Sequence, residues 1–373
     1  MSVAVGAMLS AAYADAQDYP QKPVRLVIGF PPGGSNDIIA RQISPKLSEI
    51  LNTNFIVENR PGANAILGTD YVAKAAPDGY TLGLAGLSPL VIAAFTYAKI
   101  PYDSVNDFAG ITTVVMNPLL IVVHPALPAR SMKEFIALAK AQPNKLDFAT
   151  AGAGGSTRML IELMKLDTGI KIQAVAYKGA GPALTELLGG HVQGMVMDLP
   201  VLLSPVKNGR LRALAVTSEK RSALLPDVAT VAEQGLPALQ AVNWYAILAP
   251  AKPPRAIVDK LQAVHMRDVG VADVLARLHG DVRAGQHAVH VNGGAGRSHL
   301  IEMLTYGLCI GGEFVELGEA LVPKAHGSSP YRGSTVQDEK VKVNQLTRSF
   351  PRRREPITCL RGRLRHGFPP SRE

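Results

Sequence analysis

A strand, a glycine-rich loop and a helix follow one another twice in this chain, about 120 residues apart. That repeat constrains the fold more than any other feature. The first unit opens with Val24–Phe30 (VRLVIGF), a nearly continuous apolar and β-branched run of the kind found in strands covered on both faces. Pro31-Pro32-Gly33-Gly34 ends it, and Ser35, Asn36 and Asp37 are N-cap candidates for a helix from near Ile38. Pro45 falls inside that helical pattern and is expected to kink or split it. Phe55–Glu58 reads as a second strand, Gly68–Ala75 as an alanine-rich helix after the Asn59-Arg60-Pro61-Gly62 turn, and Thr81–Leu87 as a third strand. This βαβαβ order predicts an α/β fold with parallel strands and right-handed crossovers.

The second series begins with a strand at Leu119–Val123 and a helix at Met132–Ala141. Strand Leu146–Thr150 then runs into Ala151-Gly152-Ala153-Gly154-Gly155-Ser156-Thr157 and a helix over Arg158–Asp167. Strand Gln173–Tyr177, helix Pro182–Leu188 and strands Gly194–Asp198 and Arg212–Val216 complete it. Trp244–Leu248 and the helix Pro254–His265 return the chain to the first domain. The expected architecture is a hinged, two-lobed α/β binding protein with strands crossing between the domains. Residues 20–120 plus 244–285 form domain 1, residues 121–243 domain 2.

Both ends of the chain differ from this body. Residues 1–16 are small and apolar and end in Ala-x-Ala at Ala12–Ala14 and Ala14–Ala16, as in a signal peptide, although no Lys or Arg precedes Lys22. The expectation is therefore a signal-peptide remnant and an exported protein. The formal charge of +9 suggests an anionic partner such as nucleic acid until it is divided along the chain. Residues 321–373 hold 12 Lys and Arg against 4 Asp and Glu, leaving 27 against 26 elsewhere. The body is close to neutral, and nucleic-acid binding is an alternative only for the arginine-rich tail. Both cysteines and five of the nine histidines lie beyond residue 285. Residues 286–373 read as an atypical basic segment, out of frame or disordered.

The glycine loops carry the chemistry. Each places backbone N–H groups at a helix start, where the helix dipole favours an anion, and glycine lets a carboxylate approach the backbone. Neither loop reads G-x-G-x-x-G, and no Gly-Lys dipeptide exists, so the dinucleotide and Walker patterns fail. Two ordinary βα turns would look similar, but the matched positions favour a shared site. A micromolar ligand needs about 8 kcal/mol. One helix terminus contributes ~0.3–2 kcal/mol and each hydrogen bond to a charged group about 1.5–3 kcal/mol. One loop is too weak alone, whereas two closing on a carboxylate suffice. Gly34-Ser35-Asn36-Asp37-Ile38 lacks the last glycine of a nucleophile elbow. His124, His191, His265 and His279 show no paired-ligand spacing, so neither an enzyme nor a metal or cofactor site is expected. Asp198 is either a turn residue or a cleft residue. Arg158 either pairs with a ligand carboxylate or is solvated.

Taken together, the sequence resembles the Bug-type solute receptors of tripartite tricarboxylate transporters. The matching stretches include Ile28–Asp37, Val57-Glu58-Asn59-Arg60-Pro61-Gly62-Ala63 and Ala75–Leu82. Tyr177-Lys178-Gly179, Leu187–Gly190, Leu211–Ser218 and Leu225–Glu233 continue the match, which covers roughly residues 20–285. The resemblance implies a non-enzymatic periplasmic receptor with an α/β, two-domain periplasmic-binding-protein-like (Venus flytrap) fold that holds a small carboxylate through backbone amides of the two loops, often with bridging waters. The ligand-binding set it implies here is Pro32, Gly33, Gly34, Ser35, Asn36, Asp37, Ser88, Ala151, Gly152, Gly154, Gly155, Ser156, Thr157, Arg158, Tyr177 and Asp198. Of these, Asp198 matches a cleft position that tunes ligand choice, and Ser88 another cleft group. Arg158 stands where relatives often carry histidine. It also implies a di- or tricarboxylate, amino acid or aromatic acid as ligand, membrane permease subunits as partners, and a monomeric receptor. Relatives carry an acidic, tryptophan-containing helix after the position of Gly285, which this chain replaces with its basic segment.

Overall fold

The computed structural model describes residues 19–264. The signal-like segment, the basic tail, His265 and His279 lie outside those residues.

The first lobe is built as the sequence predicts. Parallel strands β1 (Val24–Ile28), β2 (Phe55–Asn59) and β3 (Thr81–Gly86) are linked by helices α1 (Ser35–Ile50) and α2 (Ile66–Ala73). Helix α1 starts at Ser35, three residues before the expected position, and runs as one element through Pro45. Ser44 and Ser48 flank that point, and the Ser48 hydroxyl donates to the Ser44 carbonyl at 2.7 Å before accepting from the Phe55 N–H at 2.9 Å. A π-helical turn, Ser88–Ile92, and helix α3 (Ala93–Thr96) follow β3. The sequence pattern does not announce either, because Ser88–Ile92 is uniformly buried and shows no helical face.

The second lobe holds β5 (Asp147–Thr150), β6 (Gln173–Ala176), β7 (Gly194–Asp198) and β8 (Arg212–Val216). Helices α4 (Met132–Ala141), α5 (Ser156–Thr168), α6 (Ala180–Leu188) and α7 (Leu199–Lys207) alternate with them. Helix α7 was not expected; Pro200 in its first turn, and Pro205 within it, masked a short apolar helix.

Two strands join the lobes. β4 (Phe108–Val123) spans 16 residues where only Leu119–Val123 was expected. Its residues 108–118 pair antiparallel with β9 (Val242–Pro250), and Leu119–Val123 pair with β7 and β8. Register shifts at Gly110/Thr112 and Thr113/Val115 interrupt the alternation, which hides the strand from pattern reading. The changeover falls at Pro118 and Leu119, opposite Val242 and Asp198. β9 continues the first lobe's sheet by pairing with β3. Helix α8 (Arg255–Ala263) then packs Ile257 and Leu261 onto the first lobe's core.

Alternation fixes the layers. Leu26 and Ile28 of β1, with Tyr245 and Ile247 of β9, bury one face of the first lobe's sheet. Val27, Trp244, Ala246 and Leu248 bury the other. In β4, Leu119, Ile121 and Val123 face one core of the second lobe while Leu120 and Val122 face the other. Trp244, the lone tryptophan, is thus a core residue.

Candidate ligand-binding cleft

The first glycine loop is held by side chains behind it. Gly33 adopts φ +84° and donates its N–H to Asp37 Oδ2 at 3.0 Å. Asp37 also accepts from Arg41 Nε and Asn59 Nδ2, each at 3.0 Å, and Asn59 donates to the Phe30 carbonyl at 3.0 Å. Burial pushes the Asp37 carboxyl up, but the hydrogen bonds from Arg41, Gly33 and Asn59 outweigh it and hold the group below the ordinary carboxylate range. Asn36 Nδ2 donates to the Leu84 carbonyl at 3.1 Å, tying the start of α1 to β3. Gly34 caps α1 without any side-chain cap, so the first-turn amides are left for another acceptor.

The second loop repeats the arrangement. Gly155 caps α5, again without a side-chain cap. Thr150 Oγ1 donates to the Gly152 carbonyl at 2.9 Å. From the first lobe, Thr96 Oγ1 donates to the Gly154 carbonyl at 3.1 Å, and Ser88 Oγ accepts the Ser156 N–H at 3.1 Å. The second glycine loop is therefore stitched to the strand-end turn at Ser88.

Between the lobes lies a small cleft that opens to solvent. Of the residues named from the sequence, Gly34, Ser35, Asn36, Ser88, Ala151, Gly155, Ser156, Thr157 and Asp198 line it together. Pro32, Gly33, Asp37, Gly152, Gly154, Arg158 and Tyr177 are not among its lining residues. Arg158 is engaged elsewhere: its Nε meets Glu162 Oε1 at 2.7 Å and its Nη1 donates to the Ala174 carbonyl at 2.8 Å. Asp37 and Gly33 shape the loop from behind.

Three polar side chains of the lining, Asn64, Asn243 and Tyr245, are not in the set named from the sequence. Asn64 sits in a run of left-handed backbone, with φ +46° at Ala63, +54° at Asn64 and +73° at Ala65. Consecutive non-glycine residues in that region are strained. The strain delivers the Asn64 side chain to the second loop: a Cβ on Gly152 or Gly155 would lie 2.8 or 2.9 Å from Asn64 Oδ1. The Asn64 Nδ2 is buried without a protein partner. The only sequence signal was an asparagine after Pro-Gly-Ala, a residue that tolerates this backbone.

Asn243 and Tyr245 are the other two. They share one face of β9 by period two and meet Asp198, which ends β7 beside the hinge. The Tyr245 hydroxyl donates a short hydrogen bond to Asp198 Oδ2, and Asn243 Nδ2 donates to Asp198 Oδ1 at 3.2 Å. Although Asp198 precedes α7, its carboxylate does not cap that helix. Burial pushes the Asp198 carboxyl above the ordinary range, only partly offset by Ser35, Tyr245 and Asn243. The Tyr245 phenol is pushed well up by burial and by Asp198. The buried Ser35 hydroxyl stands beside this pair.

A carboxyl group with a raised folded-state value binds more protons folded than unfolded. Its contribution to stability therefore falls as pH rises from the ordinary carboxylate range through its raised value. Asp198→Asn removes that slope. The melting temperature of the variant relative to the parent is expected to rise with pH from 4 to 8. A difference that stays flat, or that falls, contradicts a raised Asp198.

Among the described residues no group of three or more His, Cys, Asp or Glu residues suits a metal ion. No helix of the described residues is long and apolar enough to cross a membrane.

Residues 39–282 match the family model described as the tripartite tricarboxylate transporter family receptor. The chain is 40% identical over 250 residues to protein BugT of Bordetella pertussis, covering 66% of this chain and 77% of that protein. Among solved structures it is similar to MatC of Rhodopseudomonas palustris with bound malate, at 28% identity and TM-score 0.70, covering 78% of this chain and 98% of that one. A second R. palustris protein, solved with adipate, matches at 29% identity and TM-score 0.69, over 78% and 96% of the two chains. The two lobes, the crossing strands and these matches agree: the chain belongs to the tripartite tricarboxylate transporter receptor family, whose members are periplasmic solute-binding proteins and not enzymes.

Proposed function

We propose that this receptor binds a small carboxylate between its lobes, held by the first-turn amides of α1 and α5, and delivers it as a monomer to membrane permease subunits. The observation that carries the reading is the pairing on one cleft of two helix N-termini whose N-cap residues, Gly34 and Gly155, supply no side-chain cap. Backbone amides and helix dipoles stabilise an anion without a side-chain cation. The lining fits, since it contains no Lys, Arg or His. The malate and adipate found in the two R. palustris structures are small carboxylates, which supports the same class here.

Thermal shift and calorimetric titration with malate, adipate, citrate, glutamate, aspartate and nicotinate test the reading. At least one acid is expected to raise the melting temperature, because a ligand at about 100 times its Kd adds about 2.7 kcal/mol to folded-state stability. Absence of both shift and heat with every acid overturns it. The arginine-rich residues 321–373, on which the nucleic-acid alternative rests, lie outside the described residues.

A further inference from the structure

The polar groups lining the cleft form two clusters. One gathers Gly155 and Ser156 of α5 with Ser88 and Asn64 of the first lobe. The other gathers Asp198, Asn243, Tyr245 and Ser35 at the hinge. The first presents helix-end amides and suits an anion. The second centres on the one carboxyl group in the lining, and no lining side chain carries a positive charge.

Three features of that carboxyl group matter. It is 2% exposed, so water screens it little. Its neighbours Tyr245, Asn243 and Ser35 are three neutral donors, where an ionised carboxylate accepts about four hydrogen bonds. No Lys or Arg forms an ion pair with it among the described residues, whereas Asp37, behind the first loop, is matched by Arg41. A buried carboxylate with spare acceptor capacity and no cation of its own is suited to a cation brought by the ligand. A second ligand carboxylate beside it would meet a like charge in a poorly screened site.

We propose that Asp198 reads an ammonium group on the ligand, so that the cleft selects a zwitterionic amino acid over a dicarboxylate of the same length. The ligand carboxylate sits at the amides of the α5 end, and its ammonium donates to Asp198, with Tyr245 and Asn243 holding the acceptor in place. This rests on the carboxylate reading above and narrows it.

Calorimetric titration of the full chain with matched pairs tests it: glutamate and glutarate, aspartate and succinate, leucine and 4-methylpentanoate, phenylalanine and 3-phenylpropanoate. At least one amino acid is expected to bind tenfold or more tighter than its deaminated partner. In Asp198→Asn that preference is expected to shrink to less than threefold, with the deaminated partner bound as well as before or better. A deaminated acid binding as tightly as its amino partner in every pair that binds overturns the proposal, as does a preference that survives in Asp198→Asn. Binding of malate or adipate with no amino acid bound overturns it while leaving the carboxylate reading standing; binding of no acid at all removes both. Should Asp198→Asn melt well below the parent, Tyr245→Phe, which strips one donor from the acceptor, is expected to lower amino-acid affinity and spare the deaminated acids. The matched-pair comparison on the parent protein needs no variant.

Discussion

Replacing Gly155 by valine is expected to weaken ligand binding by roughly a hundredfold, about 2.7 kcal/mol, while both lobes remain folded. The backbone at Gly155 is extended, with φ −102° and ψ 178°, so a side chain meets no conformational penalty there. What it meets is the opposite lobe. A Cβ at this position lies 2.9 Å from Asn64 Oδ1 and 3.1 Å from Ser88 Oγ. The two γ-methyl groups of valine then occupy the entrance to the α5 amides and push Ser88 from the Ser156 N–H. The loss at the helix cap itself is about 1 kcal/mol, small beside the effect on the cleft. Calorimetry with the tightest of the acids tested on the parent, alongside a melting curve, reads both numbers. Unchanged affinity in a folded Gly155→Val protein shows that the ligand does not sit between Gly155 and Ser88.

Gly68→Val carries the largest expected effect on folding. Helix α2 crosses β1 where Gly68 faces Gly29, and a Cβ on Gly68 falls 2.6 Å from Gly29 Cα and 2.8 Å from the Arg60 carbonyl oxygen. Both obstacles are backbone, so neither can rotate aside. The helix must lift from the sheet, uncovering Ile66 and Val72 in the core that Val27 and Trp244 share. Overpacking of this kind costs about 3 kcal/mol, enough to threaten a marginally stable fold. Urea unfolding followed by circular dichroism reads the loss. A variant within 1 kcal/mol of the parent shows that α2 is not pinned to β1 by this contact.

Much of the scaffold was legible in the sequence because its signals are local. Val24–Ile28 is a buried strand by composition, and Gly33-Gly34 and Gly154-Gly155 mark helix starts by backbone chemistry alone. Element positions came out within a few residues for β1, β2, β3, β5, β6, β7 and β8. The failures share a cause. Only five of the sixteen residues of β4 are legible because two register shifts and Pro118 break the alternation that defines a strand. α7 was missed because Pro200 and Pro205 argue against a helix until the hinge turn is known to precede it.

The cleft divides in the same way. Its glycine-loop half, with Gly34, Ser35, Asn36, Gly155, Ser156 and Thr157, was visible, since a loop at a helix N-terminus offers amides whatever lies opposite. Its hinge half was not. Asp198 and Tyr245 are 47 residues apart, and nothing in either neighbourhood requires them to meet. They meet because β4 leaves one sheet at Pro118 and enters the other at Leu119, which sets the end of β7 against the start of β9. Asn64 reaches the second loop only through three left-handed residues, the last of which, Ala65, packs closely on Gly29 just beyond β1. The sequence by itself determined the two α/β lobes and an anion-favouring helix end on each, because periodicity and capping act over a few residues. The tertiary structure alone decided which side chains face those amides across the cleft. That choice rests on strand crossover and register, which couple residues far apart in the chain through contacts no local pattern encodes.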